Sequence, residues 1–192
     1  MTAPDTQTIP GFEVQGKIAP GGFAAIFKAV DLETYQVVAI KMLYPEKAKN
    51  PAYVSRFTTE IQLLLNIDSP WIVKGLKRGA VHGLPYVVME YVPCIPLSHL
   101  IQNQGPIVGP VARRVMIDST KGVQVLWNKG FVHCDLKPDN LLVTGHDQVK
   151  LCDLGLAEPS GNLTRELSET TAGTPEFMSP EQALGRLDLD HR

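Results

Sequence analysis

The sequence predicts an α+β fold, strand-rich in its first half and more helical in its second. Five short stretches between Phe12 and Glu90 have strand character, and a single helical pattern, opening at Pro51, interrupts them. A long helical period follows at 108–127, and two short apolar runs then flank a polar turn at 144–148. Strands grouped first and helices later are the signature of that class.

The chain has 192 residues, 44% of them hydrophobic, enough for one domain or two small lobes. Its formal net charge is -2, with no basic run, which argues against nucleic acid as a partner. Cys94, Cys134 and Cys152 are widely spaced and odd in number, so they read as reduced thiols in a cytoplasmic-type compartment. Residues 1–10 are polar and read as a mobile leader rather than a signal peptide. No apolar run approaches the roughly 18 residues of a membrane span.

In chain order, 12–18 reads as a strand, Pro20, Gly21 and Gly22 as a turn, and 23–30 as a second strand. A glycine-rich hairpin of this kind lets backbone N–H groups approach a phosphate, although most such pairs are plain hairpins. Residues 37–41 form an apolar run ending in Lys41, a residue that alone reads as a snorkelling strand-end lysine. Pro51 opens a helix in which Glu60 shares a face with Phe57, Ile61 and Leu64. A carboxylate on an apolar stripe needs a partner, and Lys41 is the candidate. Residues 71–80 and 84–90 read as further strands, turning at His82 and Gly83. In the helix at 108–127 the apolar positions are Val111, Val115, Ile117, Val123 and Leu126, and residues 128–130 make a fitting stop. His82, His99 and His146 show no ligand spacing and read as surface residues.

The densest chemistry lies in the stretch 132–140, VHCDLKPDN. Asp135, Lys137 and Asn140 place an acid, a cation and an amide on a loop that Pro138 stiffens and an apolar run anchors. Asp, Pro and Asn are also ordinary turn residues. Thirteen residues beyond Asn140, a short strand ends at Asp153 and Gly155.

Together these stretches resemble the catalytic and metal-binding loops, H-R-D-L-x-x-x-N and D-F-G, of the eukaryotic-type serine/threonine protein kinases. His133, Asp135, Leu136 and Asn140 match the first motif, and Asp153 and Gly155 the second. Residues 170–181, TTAGTPEFMSPE, are similar to the end of a kinase activation segment, with 179–181 in place of A-P-E. The resemblance covers the chain from Phe12 onward. It implies a bilobal kinase domain over 11–192: a complete β-rich N-lobe at 11–91, a hinge at 89–96 and a partial helical C-lobe at 97–192.

It also implies ATP, Mg2+ and a protein substrate bearing Ser or Thr. Asp135 would orient the acceptor hydroxyl and take its proton, with Thr174 in support, and Lys137 would neutralise the γ-phosphoryl group. Asn140 and Asp153 would hold magnesium, and Lys41, braced by Glu60, the α- and β-phosphates. Ile18, Gly21, Gly22, Phe23 and Ile26 would form the loop over the nucleotide. Ala39, Met89 and Leu142 would line its base, with backbone groups of Glu90 and Val92 bonded to adenine.

Several positions depart from the family pattern. Ala19 and Ala24 replace two loop glycines, Leu154 replaces the phenylalanine of D-F-G, and residues 93–96 replace a small, glycine-rich stretch. Cys134 stands where the family often has arginine, and a thiol cannot clamp a phosphate as guanidinium does. Phosphorylation at Thr164, Ser168, Thr170 or Thr171 is therefore not expected to be required. Helices expected beyond residue 192, or a partner, would cover the apolar face of 108–127. Two alternatives to an active protein kinase stand beside it: an ATP-binding pseudokinase or scaffold without catalysis, and a small-molecule kinase, which the 173–181 segment disfavours.

Overall fold

The computed structural model describes residues 8–20, 22–145, 148–160, 174–186 and 189–190. The readings that fall on Gly21, His146, Gly173 and the segment holding Thr164, Ser168, Thr170 and Thr171 lie outside the described residues. The chain divides into two compact units, Met1–Asp68 with Lys74–Tyr91, and Ser69–Val73 with Val92–Arg192.

The first unit is built on a five-stranded antiparallel sheet of β1 (Phe12–Pro20), β2 (Ala24–Asp31), β3 (Val37–Leu43), β4 (Gly75–Val81) and β5 (Leu84–Glu90). Its strand order is β1-β2-β3-β5-β4, which places β3 at the centre. Residues paired across an antiparallel ladder share a face, and successive residues alternate faces. One face therefore gathers Ala29, Val38, Ile40, Met42 and Val88, all buried, and packs them with Ile9, Phe12 and Val81. The other face carries Ile26, Ala39, Lys41, Val87 and Met89 in register.

Helix α1 (Pro45–Ala48) is a single turn. Helix α2 (Pro51–Asn66) has proline in its first turn and an Asn50 cap whose side chain accepts from the Ala52 N–H, and it buries Phe57, Glu60, Ile61, Leu63 and Leu64. Its C-terminal half lies so close to β4 that a Cβ on Gly75 would stand 2.7 Å from the Leu64 carbonyl carbon, so glycine is required there. The β4–β5 turn holds His82 at φ 50° and Gly83 at φ 78°, the left-handed pair that suits a two-residue hairpin.

In the second unit β6 (Cys94–Pro96), β8 (Leu141–Thr144) and β9 (Val149–Leu151) form a sheet in the order β6-β8-β9, and β7 (Phe131–Val132) pairs with β10 (Glu158–Pro159). Helix α3 (Leu97–Gln104) ends at Gly105, φ 79°, and α4 (Gly109–Asn128) stops at Lys129 and Gly130, φ 79°. Helix α5 (Pro180–Ala183) carries a capping box between Ser179 and Gln182.

Three sequence expectations are corrected. Residues 71–74 do not begin the fourth strand. The Val73 N–H donates to the Leu151 carbonyl and the Leu151 N–H to Trp71, so this segment pairs with β9. Phe23 lies in a bend, and β2 starts at Ala24. Residues 94–96, read as hinge, pair with Thr144, Val143 and Leu142 as strand β6. Separately, α4 buries Val115, Asp118, Ser119, Gly122 and Leu126 and leaves Met116 and Ile117 exposed, with Val108 exposed at its cap. Asp118 belongs inside because its carboxylate accepts the Val149 N–H at 3.2 Å.

Candidate active site

In the first unit, Lys41 Nζ lies 2.5 Å from Glu60 Oε1, with only 11% and 2% of the two side chains exposed. Lys41 stands on the central strand and Glu60 on the buried face of α2, so each charge loses water and gains the other. Ile26 and Ala39 flank Lys41 on the same face of the sheet, and Met89 pairs with Ala39. Ile18, near the end of β1, is half exposed.

At the β1–β2 turn a Cβ on Gly22 would meet nothing within 4 Å. The Phe23 ring lies 5.1 Å from that of Tyr53 on α2, and Lys47 Nζ sits over both rings. At the end of β5 the Glu90 N–H donates to the Lys74 carbonyl at 2.9 Å and its carboxylate accepts the Lys74 N–H. The N–H of Glu90 is therefore engaged within the unit.

In the second unit the loop after β7 is organised by His133, which is buried. Its Nε2 stands 3.3 Å from the Cys152 carbonyl, and its Nδ1 accepts the Asp135 N–H at 3.3 Å. Those two partners fit one neutral tautomer, with the proton on Nε2. Burial pushes the His133 pKa below its ordinary 6.5. The unfolded chain thus takes up a proton near pH 6.5 that the folded chain resists, so stability holds above that pH and declines below it. Urea midpoints at pH 7.5 and 5.5 should diverge more for the wild type than for His133→Gln. Equal pH dependence of the two would refute this assignment.

Pro138–Asn140, expected as a non-helical loop, closes one 3-10 turn with proline at its first position. Asn140 Nδ2 donates to both the backbone carbonyl and Oδ2 of Asp135, at 2.8 and 3.1 Å. Lys137 Nζ stands 2.9 Å from Asp135 Oδ2 and donates to Thr174 Oγ1 at 2.6 Å. The Thr174 hydroxyl in turn donates to Asp135 Oδ1 at 3.1 Å. Three residues thereby converge on the Asp135 carboxylate, the farthest of them, Thr174, 39 positions along the chain. Ser98 of α3 steadies the loop from its other side by donating to Asp139.

The Cys152 N–H donates to the Asn140 carbonyl at 3.0 Å, so Asp153 emerges next to Asn140. Asp153 is exposed and adopts φ 58°, while Leu154 is fully buried behind it. Cys134 also sits in the left-handed region, at φ 62°. Such backbone outliers on non-glycine residues concentrate at functional sites. Burial, reinforced by the nearby Glu158 charge, pushes the Cys134 thiol up to about 12, so it stays neutral. Leu142, half-buried on β8, pairs with Pro96 and Lys150. Val92 is half-buried in the segment leading to β6.

Sequence reasoning missed Gln182. Its Nε2 donates to the Cys134 carbonyl at 2.8 Å while its Oε1 accepts the Ser179 N–H, tying α5 to the loop. The S-x-x-Q capping box at 179–182 was the visible local signal, although the long-range bond was not. Among the described residues no group of three or more His, Cys, Asp or Glu side chains forms a metal cluster, and no helix is long and apolar enough to cross a membrane.

A carboxylate held by lysine, threonine and asparagine, with a second acid emerging beside that asparagine, has the layout of a phosphoryl-transfer centre. The family model of the protein kinase domain matches residues 12–188, and the chain belongs to that family. It is 32% identical over 180 residues to the serine/threonine-protein kinase PknA of Corynebacterium glutamicum, a match covering 91% of this chain and 38% of that protein. It is 32% identical over 192 residues to the probable serine/threonine-protein kinase pknA2 of Bifidobacterium longum, covering 95% and 25%. PknB of Mycolicibacterium smegmatis is 32% identical over 171 residues, covering 86% and 27%. The chain thus spans between 25% and 38% of the length of these curated relatives.

Proposed function

We propose that this domain transfers the γ-phosphoryl group of ATP to serine or threonine hydroxyls of proteins. The observation that carries the proposal is the convergence of Lys137, Thr174 and Asn140 on Asp135. Asp135 takes the proton of the acceptor hydroxyl as its oxygen bonds to the γ-phosphorus, and ADP leaves with the bridging oxygen. Lys137 offsets charge on the transferred group, and Thr174 holds Asp135 in orientation.

The donor set suits magnesium. Asn140 has its amide nitrogen engaged with Asp135, leaving its side-chain oxygen as the available ligand atom, and Asp153 supplies a carboxylate. Magnesium favours such oxygen ligands, with few protein carboxylates and the rest from phosphate and water. When bound, the ion neutralises phosphate charge. Lys41, held by Glu60, binds the α- and β-phosphates, and the backbone at Gly22 and Phe23 follows them. Ile18, Ile26, Ala39, Met89 and Leu142 contact the apolar faces of the nucleotide. Adenine bonds to the Glu90 carbonyl and the Val92 backbone. Three cysteines outside any disulfide suit a reducing, cytoplasmic setting.

The test is phosphorylation of acceptor peptides that differ only in Ser, Thr or Ala at one position. Modification of the first two supports the reading, and a nucleotide-binding chain that modifies none favours a scaffold. Cys134 offers a neutral, half-buried thiol where a phosphorylated segment would need a cation. Thr170→Ala and Thr171→Ala are therefore expected to keep activity within about threefold, since Cys134 offers no cation to a phosphate. A large loss in either would contradict this.

A further inference from the structure

We propose that Tyr53 and Lys47 act as positioning residues that latch the β1–β2 turn onto helix α2, lowering the cost of ordering that turn around a nucleotide. The inference rests on the nucleotide-binding reading above and deepens it.

The turn has three attachments. The Tyr44 N–H donates to the Phe23 carbonyl at 3.0 Å, the Phe23 and Tyr53 rings meet at 5.1 Å, and Lys47 Nζ stands 5.5 and 5.1 Å from the two ring centroids. Phe23 remains 44% exposed, so burial alone does not hold it. Ring geometry and the cation do.

Tyr53 also lies seven residues before Glu60, two helical turns along one face of α2. The face that brings Glu60 to Lys41 therefore brings Tyr53 to Phe23. Ala24, buried in β2 opposite Leu43, adds stiffness where a glycine would have loosened the turn. A turn fixed in advance loses less conformational freedom when a ligand arrives.

The test compares Tyr53→Ala, Tyr53→Phe and wild type in the full chain by two readouts. The first is amide hydrogen exchange at residues 22–25 without nucleotide, which is expected to quicken about tenfold in Tyr53→Ala and to stay near wild type in Tyr53→Phe, whose ring is kept. The second is the KM for ATP against kcat, in which KM rises by a similar factor while kcat stays within about twofold. Unchanged exchange in Tyr53→Ala would overturn the latch. Faster exchange with unchanged KM would overturn its positioning role. A wild-type chain that binds no ATP would overturn the functional reading instead, while exchange would still decide whether the latch exists.

Discussion

Asp135→Asn is expected to lower phosphoryl transfer by about 10²–10⁴-fold, the range contributed by a positioned general base. The replacement keeps the volume and the oxygen that accepts from Thr174 Oγ1, so the loop should remain folded. What it removes is the ability to take a proton, the negative charge facing Lys137 and the Oδ2 acceptor of Asn140 Nδ2, whose second bond, to the Asp135 backbone carbonyl, stays. Affinity for Mg·ATP should stay within about twofold, because Asp135 is assigned to the acceptor and not to the nucleotide. Comparing kcat with an equilibrium binding constant separates these effects. A loss in kcat below about tenfold would show that Asp135 does not act as the base.

The second large effect is expected at Lys41 and Glu60. Removing one member of a buried pair leaves the other charged without its partner and costs about 3–5 kcal/mol. Glu60→Leu should therefore lower the melting temperature by roughly 6–20 °C, at about 2–4 °C per kcal/mol for a domain of this size. Adding Lys41→Met should restore much of that stability, because an apolar pair of similar volume is often no worse than the ion pair. Activity should not return in the double variant, since the cation assigned to the phosphates is absent. Recovery of activity with stability would mean that the pair only holds the sheet and α2 together.

Much of each of the two clusters was legible because its determinants are local. Glu60 shares a helical stripe with Phe57, Ile61 and Leu64, and that period alone puts a carboxylate in an apolar setting in need of a cation. Asp135, Lys137 and Asn140 fall within six residues, so a single short loop brings them together. What escaped the sequence depends on contacts between distant segments. Trp71 and Val73 read as strand by their apolar character, yet their backbone partner is Leu151, some eighty residues away. Asp118 carries a charge that marks a surface residue, yet the buried stripe of α4 includes it, kept there by the Val149 amide. The short strand at Cys94–Pro96 was masked by Pro93 before it and Pro96 at its end, residues that disfavour a strand. Gln182 has no local feature that announces its bond to Cys134.

The most direct measurement follows label from ATP to a serine- or threonine-containing protein in the presence of magnesium, using γ-labelled and α-labelled nucleotide in parallel. The predicted result is stable label on the acceptor from γ-labelled ATP only, lost in Asp135→Asn. No transfer from either nucleotide by a folded chain that binds Mg·ATP would contradict the assignment of Asp135, Lys137 and Thr174 to catalysis.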